Sequence, residues 1–246
     1  EFFVPALFGQ WTGRVLDAAA VEPDSRILDV GCGTGILARA AVMRVGRDGA
    51  VDGLDPNLGM LSVADRACPD VAWHPGVAEA LPFGDATFDR VVSQFAAMFF
   101  SDRGLAVDEM ARVLQPEGRV AIATWGVLEQ APGYAAMVEL LEEVVDKSAA
   151  DALRAPFVLG DPQDLRDILS PTFSAIDVVE HNGVARFESI DAWVHTEIRG
   201  WTLADRIDDD CYQTLRNEAR TKMQRFTRPD GSVEFPAPAL IATASR

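Results

Sequence analysis

The sequence predicts an α/β fold: a Rossmann-like, seven-stranded, mostly parallel sheet with helices on both faces and a late helical insertion as a lid. Three observations predict it. Short β-branched runs alternate with helically spaced apolar residues through the first half of the 246-residue chain, the rhythm of crossover units that feed a parallel sheet. The apolar run Arg26-Ile-Leu-Asp-Val30 leads directly into a loop with three glycines, Gly31-Cys-Gly-Thr-Gly35, which leads directly into helix formers. The length suits one large domain with a substantial core and is short for two independent ones. Residues 1–246 therefore read as a single domain, with 1–125 as the ligand-binding half and 126–246 supplying insertions, a substrate pocket and the last strands.

Taken in order, apolar runs at 26–30, 50–54, 71–74, 88–95 and 119–125 read as five strands. Helical spacing fills the intervals 35–45, 57–67 and 102–114, with Asn57 and Ser101 or Asp102 as N-caps. Pro116-Glu-Gly118 is turn chemistry that ends a helix before the fifth strand. After Trp125 the rhythm changes. Residues 134–147 read as one long amphipathic helix, and 161–169 as a short one opened by the cap-then-proline pair Asp161-Pro162. Strands follow at 173–180 and 184–187, then a helical stretch over 190–226 and a last strand over 232–245, whose Pro236 and Pro238 favour an edge or a bulge.

Composition excludes several function classes. With 38 acidic against 22 basic side chains, a formal charge of −16, the chain repels a phosphate backbone, so no nucleic-acid partner is expected. No apolar run approaches the roughly 18–20 residues that span a bilayer, and the N-terminus lacks the basic-then-apolar order of a signal peptide, so no membrane partner and a cytoplasmic location are expected. The first residue, Glu1 rather than Met, reads as a chain that has lost a few leading residues. Cys32, Cys68 and Cys211 are odd in number and widely spaced, which argues against both a zinc site and a disulfide framework. Paired carboxylates with His are absent as well, so no metal is expected.

The glycine loop is not the dinucleotide fingerprint. In G-x-G-x-x-G the third glycine lets the helix pack close over a pyrophosphate; here the spacing is G-x-G-x-G and Ile36 stands where that glycine belongs. Asp29, just before the loop, would repel a pyrophosphate but suits water or a cationic amino group. Ile27-Leu-Asp-Val-Gly-Cys-Gly-Thr-Gly35 resembles the first motif of class I S-adenosylmethionine-dependent methyltransferases, in the small-molecule branch that includes the ubiquinone- and menaquinone-biosynthesis type. The resemblance continues through Val51-Asp-Gly-Leu-Asp-Pro-Asn-Leu-Gly-Met-Leu61, Gly76-Val-Ala-Glu-Ala-Leu-Pro-Phe83, Phe88-Asp-Arg-Val-Val-Ser-Gln94 and Glu109-Met-Ala-Arg-Val-Leu-Gln-Pro-Glu-Gly-Arg119. It covers roughly residues 25–125, and beyond them is one of layout only.

The resemblance implies S-adenosyl-L-methionine as cofactor and assigns roles residue by residue. Asp29, Gly31, Cys32, Gly33 and Gly35 form the loop against the cofactor, and Asp55, at the end of the second strand, accepts the ribose hydroxyls. Pro56, Asn57 and Met60 line the adenine; Ala78 and Glu79 read its edge, where Val77 replaces an Asp common in the family. Gln94 and Phe95 stand where the methionine part meets the acceptor, and Trp11, in a leading helix, covers the cofactor. Set against these roles, Cys32 also reads as a small residue beside close-packed backbone, Asp55 as a helix cap, Met60, Phe95 and Trp11 as core.

The sulfonium makes the methyl group electrophilic, so an acceptor attacks in line and the protein aligns, desolvates and excludes water. A general base is needed only for a hydroxyl, an acidic carbon or a protonated amine, and His is the first candidate. His74 reads as structural and His181 as an exposed turn residue beside Asn182-Gly183. His195, near Trp193, Arg199 and Trp201, is the candidate for substrate contact and catalysis, although the two Trp also read as pins that hold an insertion helix to the core. A strand-four Asn-Pro-Pro-Tyr, the mark of nucleic-acid or glutamine amino acceptors, is absent. The expected activity is methyl transfer to O, N or C of a small metabolite. Two further readings stay open: a non-catalytic protein that binds the cofactor or its demethylated product, and a nicotinamide-dependent oxidoreductase.

Overall fold

The structure is a computed structural model that describes residues 7–200, 203–204 and 206–246. The chain runs α1 (Gly9–Ala18), β1 (Arg26–Val30), α2 (Ile36–Val45), β2 (Ala50–Asp55), α3 (Leu58–Ala67), β3 (Ala72–Pro75), β4 (Phe88–Gln94), α4 (Arg103–Val113) and β5 (Leu114–Trp125). It continues with α5 (Pro132–Val144), α6 (Lys147–Arg154), α7 (Pro162–Leu169), β6 (Ser174–His181), β7 (Val184–Phe187), α8 (Ile190–Arg199), α9 (Asp209–Lys222), β8 (Val233–Pro236) and β9 (Ala239–Ser245). Its residues cluster into two compact units, one built mainly on 10–124, 161–180 and 240–246, the other on 125–160 and 181–239.

The first unit carries a seven-stranded sheet in the order β3-β2-β1-β4-β5-β9-β6. The pairs β1–β2, β1–β4, β2–β3 and β4–β5 are parallel. Buried parallel strands need apolar side chains on both faces, and β1 supplies them with Ile27, Leu28 and Val30 fully buried. The strand order reverses between β1 and β4. In open α/β sheets that switch opens a crevice at the carboxyl ends of the two strands, and it is there that ligands bind.

Local signals set the helices around this sheet. Asn57, Asp102 and Asp161 each accept a backbone N–H as N-caps, from Met60, Leu105 and Gln163. α2 instead begins from Gly35 in the left-handed region at φ +82°, which turns the chain out of the glycine loop. β5 begins earlier than the predicted 119. Leu114 pairs with Phe88 and Arg119 with Arg90, so Pro116-Glu-Gly118 forms an irregularity inside the strand, with Glu117 at φ +65°, rather than a turn before it.

The second unit holds α5, α6, α8, α9 and the antiparallel ribbon β7–β8. The predicted helix over 134–147 is two helices, because Asp146 accepts the Ala149 N–H at 2.7 Å and caps a new one. The helical stretch predicted over 190–226 likewise divides into α8 and α9, capped by Ser189 and Asp208. The predicted last strand divides too: β8 ends at Pro236 and pairs with β7, while β9 starts at Ala239 and joins the large sheet. Trp193 forms the centre of this unit, with its ring 4.7 Å from Phe235, 5.8 Å from Phe187 and 6.0 Å from Phe226. Tyr134 adds its ring 5.3 Å from Phe235, and burial, reinforced by Glu197, pushes its phenol well above the usual range.

Candidate active site

The three glycines after β1 all adopt left-handed backbone, at φ +73° for Gly31, +54° for Gly33 and +82° for Gly35. The reasons for having no side chain differ. A Cβ on Gly31 would lie 2.3 Å from Ala96 Cβ, and one on Gly35 would lie 2.4 Å from the Trp73 ring. These two are closed off by protein. A Cβ on Gly33 would meet only Met60 Sδ at 3.8 Å, so the middle glycine turns its bare α-carbon toward open space. Trp73, which also lies against Gly53, carried no signal in its own neighbourhood; small residues facing it on the loop and on β2 are the only trace in the sequence.

The loop is tied to the end of β2. Gly31 and Cys32 donate their N–H groups to Leu54 O at 2.8 and 3.0 Å. Asp55 is 8 % exposed and spends one contact per oxygen: Oδ2 accepts the Gly33 N–H at 2.9 Å and Oδ1 the Asn57 N–H at 2.8 Å. Each carboxylate oxygen keeps a second lone pair for a further donor. Asn57 in turn caps α3 by accepting the Met60 N–H at 3.1 Å, which sets Pro56, Asn57 and Met60 beside the loop. Asp55, Asn57, Met60 and Gly33 are thus brought together, and the helix-cap reading of Asp55 gives way to Asn57 as the cap.

Asp29 is buried at the end of β1 and accepts the Ala38 N–H of α2 at 3.1 Å. Burial pushes its carboxyl up to about 7, the Ala38 hydrogen bond works against the shift, and the Asp55 charge adds to it. The Cys32 thiol is buried beside both carboxylates, and burial first, then those charges, push it far above its ordinary value. That environment suits a small packing residue and not a nucleophile.

At the other side of the crevice β4 ends at Gln94, which is half-buried, and Phe95 follows with φ +55°, a conformation that costs a bulky residue of the order of 1–3 kcal/mol. Phe95 is buried and meets Trp11 edge-on at 5.9 Å. Trp11 itself is fully buried in α1, with the Arg14 guanidinium 5.0 Å over its ring, so these two aromatics pack together.

The segment after β3 has a use that its sequence did not announce. Ala78 is buried, and Glu79 Oε1 accepts the N–H groups of Ser101 and Asp102 at 2.6 and 3.1 Å, holding the start of α4. Glu109 Oε2 accepts the Leu81 N–H at 2.8 Å, and Arg112 reaches the same segment. The Arg112 guanidinium holds the Glu109 carboxyl below the usual carboxylate range.

The histidines separate clearly. His74 Nε2 lies 2.8 Å from Asp52 Oδ1 across β2 and β3, a structural pairing as expected. His181 is half-buried and ends β6, where an exposed turn residue was expected. His195 is exposed on α8, its Nδ1 3.1 Å from Tyr212 Oη. The cluster expected around it comes apart. Trp193 is fully buried core, Arg199 is committed to Ala204 O, Ile207 O and Asp209, and Trp201 lies outside the described residues. Among the described residues no group of His, Cys, Asp and Glu is arranged to hold a metal ion, and no helix is long and apolar enough to cross a membrane.

Residues 28–122 match a family described as "Methyltransferase domain". A demethylmenaquinone methyltransferase from Renibacterium salmoninarum is 37% identical over 116 residues, 46% of this chain and 47% of that protein. The chain thus matches about half the length of such relatives. The YcgJ protein from Bacillus subtilis has the same fold, with a TM-score of 0.66 at 24% identity over 96% of this chain and 98% of that one. So does a Haemonchus contortus phosphoethanolamine N-methyltransferase in complex with S-adenosyl-L-methionine, with a TM-score of 0.59 at 20% identity over 96% of this chain and 52% of that one. Residues 28–122, on which the glycine loop, Asp55 and the α4 contacts all stand, are thus similar to a methyltransferase domain.

Proposed function

We propose that the protein transfers a methyl group from S-adenosyl-L-methionine to a small-molecule acceptor, in the cytoplasm. The observation that carries the reading is the pairing of Gly33, open above its α-carbon, with Asp55, whose two oxygens each retain a lone pair after bonding the Gly33 and Asn57 N–H groups. A ribose diol offers two O–H donors at matching reach, and a bare glycine lets the sugar approach the backbone. Asp29 stands buried at the end of β1, a carboxyl that suits an amino group and not a pyrophosphate. Pro56, Asn57 and Met60 stand on the base side together with Ala78 and Glu79; Gly31, Cys32 and Gly35 shape the loop; Gln94, Phe95 and Trp11 bound the opposite side.

When bound, the cofactor supplies an electrophilic methyl group on a cationic sulfur. The chain's work is to hold that group in line with an acceptor atom and to keep water away. Phe95, backed by the fully buried Trp11, forms an apolar wall for this purpose. For an acceptor that sheds a proton, His195 is the proposed base, its ring oriented by Tyr212. Replacing His195 with Gln then lowers kcat by about 10²–10⁴-fold. An unchanged kcat removes it from the chemistry.

The name of the Renibacterium relative makes a quinol ring carbon the first acceptor class to try. The experiment is incubation with methyl-labelled cofactor, first with reduced naphthoquinones and then with a metabolite extract, followed by mass spectrometry for one added methyl. Label in a small product supports the proposal. Cofactor binding without transfer to any acceptor would leave a binding protein in its place.

A further inference from the structure

Arg112 of α4 uses all five of its guanidinium N–H donors. Nε and one NH2 hydrogen go to the two oxygens of Glu109 at 2.6 and 2.8 Å. The other three go to Phe83 O at 2.8 Å, Asp85 Oδ1 at 2.8 Å and Leu81 O at 3.0 Å. Glu109 completes the arrangement by accepting the Leu81 N–H. One half-buried ion pair therefore holds both backbone groups of Leu81, the carbonyl of Phe83 and the side chain of Asp85. The same segment is anchored at Glu79 to the N–H groups of Ser101 and Asp102, and at Gly76 by its N–H to Asp55 O at 3.3 Å.

A connection between strands normally keeps much of its freedom, and a surface ion pair alone does little to stabilise one. Here a planar fork with fixed geometry fixes three residues of a connection at once, something the three rotatable donors of a lysine cannot reproduce. Residues 76–85 are thereby held between Asp55 on one side and α4 on the other.

We infer that Glu109 and Arg112 are positioning residues for the purine base of the cofactor, acting through the backbone of residues 76–85 that Ala78 and Glu79 present to it. The inference rests on the cofactor reading given above and adds the element that sets base selectivity. α4 touches no ligand; it fixes the edge against which the base is read.

The test compares the affinities of S-adenosylhomocysteine and S-inosylhomocysteine, which differ only at the base edge, amino with a bare N1 against oxo with N1–H, for the wild-type chain, Arg112→Lys and Glu109→Gln. Arg44→Ala, which removes a surface pair with Asp17, is the control. The wild type and the control prefer the adenosyl ligand. In Arg112→Lys that preference falls by about tenfold, the loss of roughly one charge-assisted hydrogen bond's worth of positioning, and the Leu81 amide exchanges faster in both α4 variants. If Arg112→Lys does not fold, Glu109→Gln, which keeps the side chain's shape, decides the matter on the same two readouts. A wild-type preference retained in the folded variants overturns the positioning role while leaving the cofactor reading intact. A wild-type chain that binds neither ligand overturns both.

Discussion

With only two oxygens, Asp55 links the glycine loop to the α3 cap and still has lone pairs for a ligand, so its removal acts on both. Asp55→Ala weakens S-adenosylhomocysteine binding by about 1–3 kcal/mol, read by calorimetric titration, because charge-assisted hydrogen bonds disappear. An unchanged affinity places the sugar elsewhere. Gly33→Val carries a double cost: the Cβ has room at Met60, but φ +54° strains a β-branched residue, so this variant loses stability as well as binding. Asp29 makes a pH prediction. Its folded carboxyl sits near 7 against an ordinary value of about 3.9, so the unfolded chain ionises first. The stability this group contributes is complete below about pH 4, falls as pH rises through the interval to about 7, and is constant above it, a total loss on the order of 4 kcal/mol. Asp29→Asn keeps the acceptor for Ala38 and escapes that loss. Its unfolding midpoint exceeds that of the wild type at pH 8, and the gap narrows toward pH 5. An equal gap at both pH values would contradict a carboxyl that burial raises to about 7.

At the scale of the element, local chemistry reads directly from sequence wherever one residue decides the geometry. Asn57, Asp102 and Asp161 cap the helices they were expected to cap, and β1 to β4 stand within a residue of where the apolar runs placed them, while β5 starts five residues early. The chain was less legible where pairing partners are distant. Nothing local to 184–187 says that it pairs with 233–236 instead of extending the large sheet, and nothing near Pro116 distinguishes a turn from an irregular strand. Asp146 is a cap of the same kind, masked in the sequence by apolar spacing that continues up to it. Trp193 shows the same limit for side chains: an aromatic next to a His and an Arg reads equally as site or as core. The structure makes it core, boxed by Phe187, Phe226 and Phe235. Trp193→Ala therefore destabilises the protein by about 3–5 kcal/mol, measured by chemical denaturation, as expected for truncating a fully buried aromatic. A loss below about 1 kcal/mol would mean that the ring is not buried in solution.

For the whole molecule, the candidate site was legible to different depths in its two halves. The glycines and Asp55 lie within one βαβ unit, so sequence spacing alone brings them together at the carboxyl edge. Trp73, Glu109 and Arg112 were not legible as site neighbours, since their contacts are made across strands and from a helix that follows β4. Residues 126–246 carry no motif with a fixed spacing, and their side chains gave His195 by residue type alone. The net charge of −16 fits an electrostatic preference for a cationic sulfonium ligand over polyanions, which also predicts binding that weakens with added salt. The most direct measurement of the central claim is calorimetric titration of the wild-type chain with S-adenosylhomocysteine and, separately, with NADH. Saturable binding of the first at one site per chain, weakened in Asp55→Ala, with no heat from the second, is the result predicted. Heat from NADH and none from S-adenosylhomocysteine would contradict it.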